Sequence, residues 1–550
     1  MTRTRYLLLA LVAVLLCVGP NTAMAVDDTS QAAASPEATP LRVPNAAATS
    51  QGNDAPAVTA AKRGKRDKRP NIVLMQTDDQ TLADLAVMKK ARSLLQKRGV
   101  TFNQMVTPFA ICCPSRAAMM TGSYPHNNGV SANFPPAGGY VPWEQKSSET
   151  SIGRWLQMAG YYTVHIGKYI NGYAYPNREN VRVPTGWSEW HGSADPSTYQ
   201  MWGYRLNEPK GSTQYGKFWK PDPATYSTDV YRRKAVRVVR QQARQAGPFF
   251  MQVAFLAPHV ETVPLKVGFI PQPWVDTDDI DPEFGIKSIP PRPAPRDRDA
   301  FPSMPLARGP SFNEADVSDK GPFVRDLPLL DEAEIEDLVE DNRRRRRSLL
   351  AVDDAVRAVV RTLRASGQLK KTVIVFMGDN GYLLGQHRIS MGKYFPYEPA
   401  LKIPFVMRGP GIRSDAEVGK LVSLVDVTPT LLDFAGARPI GRQPDGISLR
   451  PVLSGEHGIR KRTVLLSSGP QKSPNGTNLP LFDGVRTSRY AWWRYEDGFE
   501  EMYDLRKDPD ELTNIAEDPT YAEVRDELVA EWNRLKDCSG KSCRTRSSAP

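Results

Sequence analysis

The sequence predicts an α/β fold: a large mixed sheet sandwiched by helices, followed by a smaller C-terminal α+β domain. Three observations predict it. Short apolar runs rich in β-branched residues alternate with segments of helical periodicity, polar clusters follow several of those runs, and past about Gly441 the texture changes to short strand-like pieces. At 550 residues the chain exceeds what one core of ordinary size needs, so more than one domain is expected.

The chain opens on a secretory signal over 1–25. Arg3 and Arg5 precede an apolar run at 6–18, Pro20 closes it, and Ala23-Met24-Ala25 forms a small-x-small cleavage site. The run is shorter than the roughly 20 residues of a spanning helix, so no stable membrane insertion is expected and the mature protein is read as secreted or extracytoplasmic. Residues 26–69, rich in Ala, Pro, Ser and Thr, read as a disordered linker.

A domain at 70–440 follows, with strands expected at 71–75, 161–166, 249–256, 373–377 and 403–407 and helices at 82–98, 151–158, 227–245 and 331–365. The proline-rich stretch 258–328 is too long for an ordinary connection and reads as a lid or a substrate-facing insertion. A second domain at 441–550 carries strand-like pieces at 463–467 and 490–495 and a helix at 521–536.

Net charge is +11, with basic runs at 62–69 and 343–347. The first lies in the linker. In the second, Leu349, Val352, Val356, Val359 and Leu363 recur at helical spacing, so the arginines are expected on a solvated face. Neither run reads as a nucleic-acid site, although a basic balance helps attract anionic polymers. Of the five cysteines, Cys17 leaves with the signal, Cys112 and Cys113 are adjacent, and Cys538 and Cys543 are either bridged in an oxidising compartment or free.

Chemistry concentrates after the predicted strands. Asp78-Asp79 follows 71–75, and Gly378-Asp379-Asn380-Gly381 follows 373–377. Carboxylates and an amide oxygen, without His or Cys among them, suit a hard cation such as Ca²⁺ or Mg²⁺ rather than zinc. Taken alone, Asp-Asp or Asp-Asn-Gly reads as a turn or helix cap.

The segment Cys112-Cys113-Pro114-Ser115-Arg116, continued by Thr121-Gly122, resembles the sulfatase signature C-x-P-S-R-x-x-x-x-T-G. The resemblance implies an alkaline-phosphatase-like fold, oxidation of Cys112 to formylglycine by a formylglycine-generating enzyme, and a divalent metal, calcium first and magnesium second. The implied metal ligands are Asp78, Asp79, Asp379, Asn380 and the modified Cys112. A hydrated aldehyde carries two hydroxyls on one carbon: one attacks sulfur, and deprotonation of the other expels the sulfate.

The same resemblance gives roles to further residues. Arg116 is expected to offer a fixed donor fork to sulfate, and Lys168 matches the lysine that follows strand and glycine. Where many sulfatases continue with Trp-His, this chain has Tyr169-Ile170-Asn171, a form similar to the N-acetylglucosamine-6-sulfatase and heparan sulfate branch; Asn171 is a candidate substrate contact. His259 in Ala257-Pro258-His259 and Lys393 in Met391-Gly392-Lys393 are the two candidates for the acid that protonates the leaving alcohol, a division of work left open here. His387 is expected on the same rim, touching substrate. Similar landmarks continue to Tyr503-Asp504-Leu505 and Asn514.

The expected function is sulfate ester hydrolysis on a sulfated carbohydrate such as 6-O-sulfated N-acetylglucosamine. The alternatives are an arylsulfatase or a phosphate or phosphonate monoester hydrolase on the same fold, and a glycan-binding protein whose Cys112 stays unconverted.

Overall fold

Every position of strand β1 (Asn71–Thr77) is buried, the mark of a strand covered on both faces. Its side chains alternate: Ile72 and Leu74 enter one core, Val73 and Met75 the other. The computed structural model describes residues 67–175, 182–264, 286–456, 458–472 and 477–550. The signal at 1–25, nearly all of the linker at 26–69 and part of the insertion at 258–328 therefore lie outside the described residues.

Ten strands form the main sheet. After β1 come β2 (Val100–Phe102), β3 (Tyr162–Gly167), β4 (Glu189–Ala194), β5 (Tyr204–Glu208), β6 (Gly211–Tyr215), β7 (Phe249–Ala254), β8 (Thr372–Gly378), β9 (Phe405–Arg408) and β10 (Ala416–Val418). The order is β10-β2-β9-β8-β1-β7-β3-β4-β5-β6. The run β8-β1-β7-β3-β4 is parallel, whereas β9, β5 and β6 pair antiparallel. Parallel strands end together, so the loops after β8, β1, β7 and β3 open on one edge.

One face of the sheet packs on helices α1 (Cys112–Thr121), α2 (Ile152–Met158) and α5 (Val427–Ala435), through Met119, Trp155 and Leu431 among others. The other packs on α3 (Ser227–Gln242) and α4 (Glu332–Ala365). On α4 the stripe Leu349, Val352, Val356, Val359 and Leu363 is buried as its spacing predicts.

Two expectations need correction. The arginines at 343–347 do not form a solvated face: Arg345 is buried, Arg346 reaches Asp84 (3.2 Å) and Arg347 reaches Glu340 (2.6 Å), leaving Arg344 exposed. The irregular chain on this side supplies carbonyls to them, Met304 to Arg343 and Ala300 to Arg347, which covers that half of the helix. The continuous helix expected at 82–98 is instead a short helix, Lys89–Leu94, between two 3₁₀ turns. Asp353 on α4 accepts the amides of Lys90 (3.0 Å) and Ala91 (2.6 Å), capping a fresh helix start there.

Beyond the main sheet, β11 (Val464–Ser467), β12 (Phe482–Arg486), β13 (Tyr490–Tyr495) and β14 (Glu500–Asp504) make a four-stranded antiparallel meander, followed by α6 (Ala522–Leu535). Cys538 and Cys543 are disulfide-bonded. Trp492, Trp493 and Tyr503 of the meander share one core with Phe109, Ile111, Tyr394 and Tyr397, which border the loop edge of the main sheet. The later insertion is stitched to the same meander rather than free as a lid: Gly321 N–H donates to Glu501 (2.7 Å), and the buried Lys320 donates to the Leu512 carbonyl (2.7 Å).

A buried ion pair joins the meander to the main body. Arg486 meets Glu398 side-on, Nε donating to Oε1 at 3.1 Å and Nη2 to Oε2 at 3.0 Å. Burial alone would raise the Glu398 carboxyl, but Arg486 and Lys402 bring it down to about 2. Removing one partner of a buried pair strands the other charge. Arg486→Met is therefore expected to lower the unfolding free energy by about 3 to 5 kcal/mol, measured by urea denaturation.

Candidate active site

Helix α1 begins at Cys112 itself, with Ile111 extended as its N-cap, so the thiol stands on the first turn where unpaired amides favour negative charge. The residues after it divide into anchors and a terminator. Ser115 Oγ donates to the Asp379 carbonyl, and Arg116 Nε donates to Asp379 Oδ2 (2.8 Å), so two consecutive side chains tie the helix to the loop after β8. Gly122 ends the helix at φ 66°, where an added Cβ would meet Pro444 at 2.9 Å. Cys113 is buried in the core on the far side, its amide on Asn133 Oδ1 (3.0 Å).

Around Cys112 the loop edge gathers three carboxylates and three cations. Asp78 Oδ1 lies 3.4 Å from Cys112 Sγ, and Asp78 Oδ2 pairs with Lys168 Nζ at 2.5 Å and with Arg116 at 3.4 Å. Lys393 Nζ bridges Cys112 Sγ (2.7 Å) and the Asp79 carboxylate. Asp79 N–H donates to Asp379 Oδ1 (3.1 Å), and Asn380 Nδ2 donates to Asp79 Oδ1 (2.7 Å). Single ligand atoms of Asp78, Asp79, Cys112 and His259 all lie within 4.8 Å of one another. The floor is dry: Asp78, Asp79, Arg116, Asp379 and Asn380 are at most 1% exposed, whereas the Lys393 and His259 side chains reach solvent at 13% and 12%.

Charge explains the titration. Burial would raise Asp78 and Asp79, but Lys168 and Lys393 respectively, each with His259, hold them low. Asp379 goes the other way, pushed up to about 6 by burial and by Asp78 despite Arg116. Burial raises the Cys112 thiol to about 12. His259 Nδ1 bonds the Val260 carbonyl (2.7 Å), which leaves Nε2 facing Asp79 Oδ2 at 3.6 Å; burial depresses this imidazole to about 4.

The donor types gathered here suit a hard divalent cation, and the ligand atoms that lie within reach of one another are those of Asp78, Asp79, Cys112 and His259. Asn380 uses both Nδ2 protons, on Asp79 Oδ1 and the Gly381 carbonyl, and its buried Oδ1 has no hydrogen-bond partner. An orphaned amide oxygen among three carboxylates is the donor set of a Ca²⁺ or Mg²⁺ site.

Some expected roles change. Arg116 is 1% exposed: Nε donates to Asp379 (2.8 Å) and Nη1 to the Lys168 carbonyl (3.0 Å), which braces the acids, while Nη2 lies 3.4 Å from Asp78 without a hydrogen bond. His387 is not on a solvent rim: it is fully buried, bonded to Glu314 (2.6 Å) and packed at a tilt against Tyr397, ring centroids 4.2 Å apart. Asn171 is buried with an unpartnered Oδ1. Tyr169, standing in the Trp-His position, packs in a cage of His165, Trp187 and Trp190 and takes a hydrogen bond from Trp143 (2.9 Å). The described contact to Cys112 Sγ at that end of the site is instead Lys393 Nζ, at 2.7 Å.

Two residues escaped the sequence reading. Tyr199 lies 4.5 Å from Lys168 Nζ and 5.1 Å from the His259 ring, lining the mouth. Arg345, hidden in an arginine run, donates to the Asp79 carbonyl and to the Pro258 carbonyl (3.2 Å) while stacking on Tyr382 (4.1 Å). Asp79 adopts a left-handed φ of 62°. Such a backbone persists when its neighbours over-determine it, and here Asp379 holds its N–H and Arg345 its carbonyl.

The sulfatase family profile matches residues 70–437, and a profile described as N-sulphoglucosamine sulphohydrolase, C-terminal, matches 385–538. The chain is 30% identical over 516 residues to N-acetylglucosamine-6-sulfatase of Homo sapiens, covering 87% of this chain and 86% of that one. It is 33% identical over 513 residues to an arylsulfatase of Volvox carteri, covering 86% and 76%. Two solved structures share the fold. One, in complex with its substrate D-glucosamine-2-N,6-O-disulfate, has a TM-score of 0.68 at 21% identity, covering 86% of this chain and 98% of that chain. The other, a phosphonate monoester hydrolase of Agrobacterium radiobacter, has a TM-score of 0.57 at 21% identity, covering 85% and 95%.

Arg345→Met keeps the stem over Tyr382 and removes every donor. Two buried carbonyls then lose their partner, so the unfolding free energy is expected to fall by about 2 to 4 kcal/mol in urea denaturation.

Proposed function

The chain belongs to the sulfatase family, and from that premise we propose that it is an exported sulfuric ester hydrolase acting through a formylglycine made from Cys112 and a bound divalent cation. The observation that carries the proposal is the convergence of Asp78, Asp79, Asp379, Asn380, Lys168 and Lys393 on Cys112. A thiol raised to about 12 is a poor nucleophile at neutral pH, so this cysteine has little use as a cysteine. Its Sγ marks the position that the hydroxyls of a hydrated aldehyde occupy after conversion.

Asp78, Asp79, Asp379 and Asn380 would hold the cation, Ca²⁺ by preference and Mg²⁺ otherwise, which supplies charge for the sulfate oxygens and acidifies the nucleophile. The chain's own groups do the rest. Arg116 fixes the acids from below, and the helix start at Cys112 adds its unpaired amides. Lys393, held cationic by Asp79, reaches the nucleophile and orients it; burial lowers Lys168, but Asp78 more than restores it, keeping a second cation at the nucleophile. Three carboxylates offset Arg116, Lys168 and Lys393, so a divalent ion leaves the pocket positive, as a sulfate ester requires. His259, with Nε2 turned into the mouth, is the candidate for contact with the bridging oxygen of the leaving alcohol.

We propose a sulfated carbohydrate as the substrate, 6-O-sulfated N-acetylglucosamine first, because relatives at 30% identity over most of the chain carry the name N-acetylglucosamine-6-sulfatase. Residues 70–440 are taken as the catalytic domain and 441–550 as the C-terminal one. Export agrees with the signal at 1–25 and with the Cys538–Cys543 disulfide, a bond favoured in oxidising compartments. Among the described residues no helix is long and apolar enough to cross a membrane.

Matched aryl sulfate and aryl phosphate, with N-acetylglucosamine 6-sulfate alongside, test the reaction. Sulfate release is expected to exceed phosphate release by at least about 100-fold in kcat/KM, and the opposite ranking would return the chain to the phosphonate hydrolase reading. Intact-peptide mass spectrometry across Cys112 should find an aldehyde or its hydrate; a thiol there contradicts the nucleophile. Cys112→Ala is expected to abolish turnover while Cys113→Ala keeps it within about threefold, and Asp379→Ala should lose the metal found by elemental analysis of the wild-type protein.

A further inference from the structure

Helices α3 and α4 lie side by side on the face of the sheet that does not carry α1, and between them runs a groove of about 620 Å³. Its charged lining is Arg232, Arg233, Arg237, Arg240, Arg357 and Arg361 against a single acid, Asp354. That acid is already committed, to Lys90 (2.8 Å) and Arg357 (2.7 Å) through Oδ1 and toward Arg296 (3.6 Å) through Oδ2. Arg233, Arg237, Arg240 and Arg361 are exposed. Arg232 pairs with Asp229 (3.1 Å), Arg237 with Glu189 (2.5 Å), and Arg233 donates to the Ala224 carbonyl, but no hydrogen bond or ion pair to a described residue is made by Arg240 or Arg361. So concentrated a charge of one sign is costly to leave uncompensated, and it marks a surface for an anion.

We infer that this groove docks the chain of a sulfated polysaccharide, apart from the sulfate group being cleaved; the inference rests on the reading of the enzyme as a carbohydrate sulfatase. Position separates it from the catalytic edge. Arg345 touches the Asp79 loop, and Arg357 and Arg361 follow it by 12 and 16 positions on the same helix, about 18 to 24 Å at 1.5 Å per residue. The ligand is therefore a polymer or a second segment of one.

The lining also selects the kind of polyanion. Guanidinium forks match the paired oxygens of a sulfate or phosphate group, which a lysine's point charge does not, so the choice between them rests on the rest of the lining. The remaining lining residues are Val236, Ala358 and Thr362, with no aromatic ring on which a nucleic-acid base would stack. A sulfated glycan needs the forks and not the rings.

Heparin binding to the full-length enzyme, followed by fluorescence across a salt series, tests the groove. Arg240→Ala/Arg361→Ala is expected to weaken heparin about tenfold and to flatten the salt dependence, with aryl sulfate turnover unchanged. The comparison variant Arg460→Ala/Arg546→Ala removes two cations from another basic surface and should change affinity less than about twofold. Equal losses in the two variants, or an unchanged affinity in the first, overturn the proposal. So does duplex DNA of matched charge displacing heparin as well as heparin displaces itself. Should neither protein release sulfate from any ester while the first variant still loses heparin, the groove stands and the catalytic reading falls.

Discussion

Three carboxylates buried within reach of one another are the constraint on which the rest of the molecule depends. Asp78, Asp79 and Asp379 sit at the ends of adjacent parallel strands because such strands end on a common edge. In a dry pocket that concentration of negative charge would break the edge apart unless cations were fixed against it. Arg116 and Lys168 neutralise the Asp78 and Asp379 side, Lys393 the Asp79 side, and each arrives from a different element. The helix that carries Arg116 is placed by this requirement as much as by its packing, which is how Cys112, four residues earlier, comes to face the acids.

The same requirement reaches outward. Asp79 can aim its carboxylate at Lys393 and Asn380 only with its backbone turned into the left-handed region, and Arg345 and Asp379 clamp that turn from both ends. Arg345 belongs to a 34-residue helix whose apolar stripe is buried against the sheet. The long helix thus serves the site near its middle through Arg345 and, toward its C-terminal end, presents Arg357 and Arg361 to the groove. A single rigid element couples core packing, the strained ligand loop and the basic surface.

The C-terminal meander contributes support instead of ligands. Its aromatic face and the Glu398–Arg486 pair press on Phe109, Ile111, Tyr394 and Tyr397, neighbours of Cys112 and Lys393 in the chain. Glu501, accepting from Tyr397, Tyr495 and Tyr503, fixes the same wall. The buried His387, bonded to Glu314 and packed at a tilt against Tyr397, belongs to this scaffold.

Periodicity and spacing alone pointed to the α/β class, the five strands expected in the main sheet and the amphipathic long helix, while most of the residues gathered around Cys112 were implied by the signature that residues 112–122 resemble. Those features are local: alternation, helical spacing and polar residues directly after a strand are written into consecutive positions. Only tertiary structure decided what each polar group does once it arrives. Arg116 braces the acids through Asp379 and the Lys168 carbonyl, His387 lies in the interior and not on a rim, and Arg345 is a clamp and not part of a solvated face. In each case the partner lies tens or hundreds of residues away, and a side chain's exposure and hydrogen-bond geometry are set by those distant partners, which no local pattern encodes.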